Sequence, residues 1–187
     1  MKKKIIITGG LGYIGTELCK LYSGVSWHHH IVIIDNRFIS DRVNQIRKWN
    51  MDFVQGDILD KNLVKKYCED ADIIHHLAGI TDVPRTKNET SLLQDNKIKE
   101  VGEQGTQNIL DVINNNCKII FPSTHVVFEG IKEVKKDIKE DEEKSPVLSY
   151  SLSKDVNEKQ LIKSGKNYVI LRLGSVYGYS TDTARID

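Results

Sequence analysis

Short apolar runs, largely β-branched, recur along the chain at 4–8, 31–34, 52–55, 72–75, 118–121 and 168–172. Runs of this length bounded by polar residues read as strands buried on both faces. Between them, apolar residues recur three and four positions apart, which predicts helices over 12–22, 41–49, 60–68, 92–115 and 149–164. Strands alternating with helices require right-handed crossovers. The pattern therefore predicts an α/β fold, a doubly wound parallel sheet in the order 3-2-1-4-5-6, with a ligand crevice at the carboxyl ends of strands one and four. Asn114, Asn115 and Asn116 form a polar exit from the fourth helix. The segment 129–144 alternates charges and holds few large apolar residues, so it is expected to be a solvated loop or a flap over the site.

Glycines give that crevice a ligand. Gly9, Gly12 and Gly15 fall where the first strand turns into the first helix. The first two permit backbone angles and a close approach that a Cβ would block, and the third lets the helix pack on the strand. The helix N-terminus then offers N–H donors and a positive dipole end to a pyrophosphate, as in Rossmann-type folds. Asp35 closes the second strand about 20 residues after the last glycine, where a carboxylate accepts hydrogen bonds from ribose hydroxyls. It also repels a 2′-phosphate and favours NAD over NADP, whereas Arg37 is placed to pair with one. Asp35 and Asn36 also suit an ordinary turn. Asp57, after the third strand, is placed to meet the adenine amino group, or to cap the next helix, a task Asp60 can also perform. Small residues at Ala78 and Gly79, after the fourth strand, let the chain run beside a cofactor.

Composition narrows the class without naming it. With 187 residues and 39% hydrophobic content the chain can bury one sizeable core, so one domain is expected, or one domain and part of another. A net charge of +1, from 27 basic and 26 acidic residues, gives no footprint for nucleic acid or a membrane surface. No apolar run approaches the roughly 18 residues of a membrane span, and a cytoplasmic location is expected. Cys19, Cys68 and Cys117 are odd in number and widely spaced, and they read as small, semi-buried residues. His75, His76 and the run His28 to His30 lack the carboxylates or cysteines of a metal site, so no metal is expected.

The chemistry lies further along. Tyr150 and Lys154 are four residues apart, hence on one helix face, where an ammonium favours phenolate and makes a general base for a hydroxyl. Ser123 and Thr124, placed just after the fifth strand, offer hydroxyls to the reacting oxygen from the other side.

With these motifs assembled, the chain resembles the extended short-chain dehydrogenase/reductases, in their NAD-dependent epimerase/dehydratase branch. The family's TGxxGxxG matches Thr8 to Gly15, its ribose acid Asp35, its adenine-side acid Asp57 and its HxAA/G His76 to Gly79. Its SSxxVY matches Ser123 to Phe128, its YxxxK Tyr150 to Lys154 and its RxxNVYGP Arg172 to Tyr179. The resemblance implies Thr124, Tyr150 and Lys154 as catalytic residues. It implies cofactor contacts from Gly9, Gly12, Tyr13, Ile14, Gly15, Asp35, Asn36, Asp57, Ile58, Leu77, Ala78, Gly79, Thr81, Tyr150 and Lys154. Gly102 stands where the family's long helix carries Asn, Phe128 where it carries Tyr, Ser175 where it carries Asn and Tyr179 where it carries Pro. His125 and Val126 replace the Asp-Glu pair of the nucleotide-sugar 4,6-dehydratases, which disfavours dehydration.

The function so implied is a UDP-sugar 4-epimerase-like exchange at sugar C4 with NAD. A nucleotide-sugar or deoxysugar reductase of the same family and a non-catalytic NAD-binding domain stand as alternatives. The expected organisation is an NAD-binding domain over 1–178, with 179–187 the start of a truncated or absent substrate-binding region. A homodimer through the helices 92–115 and 149–164 is also expected. Ile98, Val101, Ile109, Leu110, Val156 and Leu161 fit either that seam or packing on the sheet.

Overall fold

A computed structural model describes residues 2–81 and 91–178. Tyr179 and the segment 179–187 lie outside the described residues. Six parallel strands are joined by helices: β1 (Lys4–Thr8), α1 (Tyr13–Ser23), β2 (His30–Asp35), α2 (Ser40–Lys48), β3 (Asp52–Gln55), α3 (Lys61–Cys68) and β4 (Ile73–His76). Then follow α4 (Leu92–Lys99), a π-helical turn (Glu100–Gln104), α5 (Gly105–Val112), β5 (Lys118–Thr124), α6 (Ser149–Ser164) and β6 (Asn167–Leu173). The sheet order is β3-β2-β1-β4-β5-β6, so the winding reverses between β1 and β4 and opens a crevice there.

Alternate side chains of the central strands feed two cores. Ile5 and Ile7 of β1, with Ile31 and Ile33 of β2, join Cys19 of α1 and Val43 and Ile46 of α2. Ile6, Val32 and Ile34 face the other way, onto Val64 of α3, Ile109 of α5 and Leu161 of α6. A run without polar interruption is what a strand covered on both faces requires. The two outer strands differ from the expectation of full burial. β3 and β6 contain no fully buried residue, and Tyr168 and Leu171 of β6 are exposed, because each has a strand neighbour on one side only.

The predicted 92–115 helix is not continuous. Its middle widens into the π turn, where Gly102 meets α6 so closely that a Cβ would lie 2.2 Å from Ser153 Oγ. The widened turn shifts the intrahelical ladder, and α6 supplies donors to it. Asn157 Nδ2 donates to the Gly102 carbonyl and Gln160 Nε2 to that of Glu103, each at 3.0 Å. Of the six apolar positions that fit either a dimer seam or packing on the sheet, Ile98, Ile109, Leu110 and Leu161 are buried within the protomer, as the second reading has it. The cysteines are wholly buried, not semi-buried, and burial pushes the thiols of Cys19 and Cys68 up to about 12 and that of Cys117 to about 11. Among the described residues no helix is long and apolar enough to cross a membrane.

Candidate cofactor and catalytic site

The crevice at the reversal encloses about 910 Å³. Its floor is the glycine turn. Gly9 has φ +68°, and a Cβ on it would lie 2.7 Å from the Ala78 nitrogen, so the turn and the chain after β4 touch backbone to backbone. The contact is fastened on both sides. Leu77 N–H donates to the Thr8 carbonyl (3.1 Å), and Ala78 N–H donates to Thr8 Oγ1 (3.2 Å). Thr8 Oγ1 also bonds His76 Nδ1 (2.9 Å), whose Nε2 reaches Thr106 Oγ1 (3.1 Å). Burial in the first place, and the Lys154 ammonium in the second, push this imidazole down to about 3, so it is neutral at physiological pH. His76 is thus a structural tie. His75 bonds the Tyr22 hydroxyl through Nε2 at 2.8 Å, and no metal-ligating cluster occurs among the described residues.

The turn leads into α1 with Gly12 as N-cap, with no side-chain cap and no acid in the first turn. That end is left to an anion in the crevice. Asp35 is buried at the end of β2; its Oδ2 accepts Leu11 N–H at 2.9 Å and its Oδ1 accepts the backbone N–H and Nε–H of Arg37 at 3.0 and 3.3 Å. Asp60 is the cap of α3, accepting from the backbone of Asn62 and Leu63, while Asp57 accepts Asn36 Nδ2 (3.1 Å) and Leu59 N–H (3.0 Å) and faces the crevice.

At the other end Thr124, Tyr150 and Lys154 line the same space. Ser123 and Thr124 belong to β5 itself and not to a loop beyond it. Alternation along the strand then separates their roles. Both line the crevice, but Ser123 Oγ donates to Glu158 Oε1 at 2.5 Å, while Thr124 Oγ1 accepts Val126 N–H at 3.3 Å. Lys154 Nζ donates to the Pro122 carbonyl at 2.8 Å and stands 4.4 Å from the Phe121 ring centroid and 5.8 Å from that of Tyr150. Burial lowers the Lys154 ammonium to about 8, with the Glu158 carboxylate opposing the shift. The ammonium thus stands between the Pro122 carbonyl and the Tyr150 ring.

Sequence reasoning missed the supports. Glu158 is wholly buried and accepts Arg172 Nε and Nη2 (3.0 and 2.9 Å) and Lys144 Nζ (3.0 Å) as well as Ser123. Glu129 Oε1 accepts the N–H groups of Val147 and Leu148 at 2.9 and 2.7 Å, and also the Ser151 hydroxyl, so it holds the start of the helix that bears Tyr150. Of the two readings of the segment 129–144, the solvated loop holds, since 132–141 are exposed; no residue of it is among those lining the crevice, and Glu140 and Lys144 bind it to Arg172 and α6. A Glu two turns beyond Tyr150 and an Arg on the next strand were readable as types, but not as partners. Lys97, Glu100 and Val101 also line the crevice, brought there by α4 and the π turn, with no signal in the sequence beyond helical spacing.

Each residue expected to contact the cofactor or to act in catalysis lines this one crevice, including Tyr13, Ile14, Ile58, Gly79 and Thr81. Its shape suits a dinucleotide, with a backbone cradle that a Cβ would fill, an uncapped helix end and a ribose-side carboxylate.

Known proteins resemble this chain in sequence and fold. The chain is 33% identical over 130 residues to UDP-N-acetyl-alpha-D-glucosaminuronate decarboxylase of Bacillus cytotoxicus, over 68% of this chain and 38% of that protein. It is 32% identical over 143 residues to CDP-paratose 2-epimerase of Salmonella typhi, over 71% and 40%. The crystal structure of UDP-glucuronic acid 4-epimerase from Bacillus cereus, in complex with UDP-glucuronic acid and NAD, superposes with a TM-score of 0.76 at 27% identity, over 97% of this chain and 60% of that one. The chain thus spans well under half the length of these two curated relatives. The model of the NAD-dependent epimerase/dehydratase family matches residues 5–186, and the chain belongs to that family.

Proposed function

We propose that this chain carries the cofactor and proton-transfer machinery of an NAD-dependent nucleotide-sugar epimerase acting at sugar C4. The cofactor of the crevice is NAD, which when bound takes a hydride from a carbon and can return it. The observation that carries the reading is the meeting of Thr124, Tyr150 and Lys154 in one crevice with the glycine turn and Asp35.

The residues divide the work. Tyr150, as phenolate, accepts the proton of the C4 hydroxyl as the carbon is oxidised, and gives it back when the hydride returns to the other face of the sugar. Lys154 holds its positive charge beside that ring, and its bond to Pro122 fixes where the charge stands. Thr124 orients the C4 oxygen, and the pull of Glu158 on Ser123 keeps the neighbouring hydroxyl out of its way. The cycle takes up and releases one proton and one hydride, so it needs no external reductant. His125 and Val126 stand where the 4,6-dehydratases carry their Asp-Glu pair, which supports epimerisation over dehydration.

The test is incubation of the chain with NAD and a UDP-sugar, following both the C4 epimers and the absorbance of reduced cofactor. Interconversion without net reduced cofactor, abolished in Tyr150→Phe, is expected. Stoichiometric consumption or accumulation of reduced cofactor points instead to a reductase. A chain that binds NAD, turns over no nucleotide-sugar and is indifferent to Tyr150→Phe is a binding domain. Exposed Leu92 and Leu93 on α4 and Leu152 and Ile162 on α6 support a homodimer through these helices, checked by the mass in light scattering.

A further inference from the structure

A buried amide on α5 grips the loop that follows β3. Asn108 is 2% exposed, and its Nδ2 donates to two successive carbonyls of that loop, Ile58 at 3.0 Å and Leu59 at 3.2 Å. Its Oδ1 accepts Gln104 Nε2 at 2.8 Å, which fixes the amide's orientation. Gly105, on the same helix, lies so close to the loop that a Cβ would stand 2.3 Å from Ile58 Cδ1. Asp57, Ile58 and Leu59 line the crevice, whereas Asn108 is not among the residues that do.

The grip falls on the two peptide units to which Asp57 is bonded. A peptide unit is planar and turns as one body. The Ile58 carbonyl shares its unit with Leu59 N–H, which donates to Asp57 Oδ1 at 3.0 Å. The Leu59 carbonyl shares its unit with Asp60 N–H, which donates to the Asp57 backbone carbonyl at 3.0 Å. Without the amide both carbonyls lose this donor, and a unit that turns to find another takes its bond to Asp57 with it. Asn36 Nδ2 reaches Asp57 Oδ2 at 3.1 Å. A carboxylate has about four acceptor positions, so these side-chain bonds leave room for a donor from the crevice.

We propose that Asn108 is a positioning residue for the adenine end of the cofactor, which sets through the loop 57–59 where the Asp57 carboxylate meets the adenine amino group. The proposal rests on Asp57 being the adenine-side acid and is independent of the sugar reaction.

Calorimetric titration with NAD and with nicotinamide hypoxanthine dinucleotide, in which a ring carbonyl replaces the adenine amino group, tests it. A carboxylate accepts from the amino group and repels the carbonyl, so the unsubstituted chain is expected to bind NAD about tenfold to a hundredfold more tightly. In Asn108→Leu, which keeps the branched shape without donors, this ratio should fall by about tenfold. The ratio is the readout because a smaller folded fraction weakens both cofactors alike. Asn157→Leu, which removes an equally buried amide bonded to the Gly102 carbonyl, should leave the ratio unchanged. Asn108→Ser, whose hydroxyl supplies one donor, should fall between, and it carries the comparison if the leucine variant does not fold. In an Asp57→Ala background Asn108→Leu should change the ratio no further. An unchanged ratio in the Asn108 variants, or an equal fall in Asn157→Leu, would overturn the proposal. Equal affinities in the unsubstituted chain would overturn the reading of Asp57 and this proposal with it, and absence of NAD binding would overturn the cofactor reading itself.

Discussion

The β1–β4 half of the molecule and the β5–β6 half are held by different forces. In the first, β1 and β2 bury isoleucines and a valine on both faces, and the glycine turn rests backbone against backbone on Ala78. In the second, α6 turns Ser151, Ser153, Asp155, Asn157 and Glu158 inward along with Leu161. Lys144, Lys159 and Arg172 answer the two carboxylates. The cofactor side is thus built from apolar area, which is non-directional and tolerant. The side bearing Tyr150 and Lys154 adds to its share of the apolar core, Ile119, Phe121 and Leu161 among it, a network of buried charge, which requires particular partners at particular distances. A proton-transfer site gains from the second kind of construction, since directional bonds fix the reacting groups where apolar packing alone would leave rotamers to choose.

The largest effect should come from cutting the charge network at its centre. Burial raises the Glu158 carboxyl, but bonds from Arg172, Ser123 and Lys144 outweigh it and hold the group below the usual carboxylate range. Glu158→Ala takes from Arg172 its carboxylate partner and leaves Lys144 with Asp155 alone, and is expected to cost about 3–5 kcal/mol, read as a shift in the urea midpoint. A loss below about 1 kcal/mol would place this network among weak surface pairs and erase the contrast between the halves.

Lys154 should behave oppositely. Lowering its ammonium from 10.5 to about 8 is a cost to folding at neutral pH of about 3 kcal/mol, partly offset by the bond to Pro122. Lys154→Met is therefore expected to stabilise the fold at pH 7 by about 1–2 kcal/mol. The folded pKa lies below the unfolded one, so between pH 8 and 10.5 the unfolded chain holds more protons and the native lysine protein gains stability as pH rises. The methionine variant's advantage should shrink across that window; an advantage constant with pH would show that the ammonium is not desolvated.

The smallest effect belongs to the cofactor half. Asp60→Ala removes the cap of α3, whose oxygen accepts from Asn62 and Leu63 at 2.9 and 3.1 Å, and should cost about 1 kcal/mol. The thermal midpoint of this variant checks it. A loss as large as that of Glu158→Ala would mean that directional bonds govern both halves alike.

The same division marks what could be read before the fold was known. Apolar runs at 4–8 and 52–55 coincide with β1 and β3, and helix 149–164 with α6, since spacing reflects which face meets the core. Exposure of the edge strands was not legible, because a run records its own composition and not how many neighbours it acquires. Nor was the π turn: it follows from how closely Gly102 approaches Ser153, a contact between residues far apart in sequence. Spacing alone did not separate Ser123 from Thr124, and although the resemblance singled out Thr124, the bond of Ser123 to Glu158 became visible only with β5 extended through both.

By itself the sequence determined the alternation of strand and helix, the glycine turn with its acidic partner at Asp35, and the pairing of Tyr150 with Lys154 on one helix face. Each of these is a local matter of backbone freedom, periodicity or residue spacing. Only the tertiary structure decided that Glu158 meets Ser123, Arg172 and Lys144, that Glu129 holds the start of α6, and that the charged segment 129–144 is bound to that helix and not laid over the crevice. Such partners are chosen by distance in space, and charges that read along the chain as a solvated surface find one another only when the sheet brings their segments together.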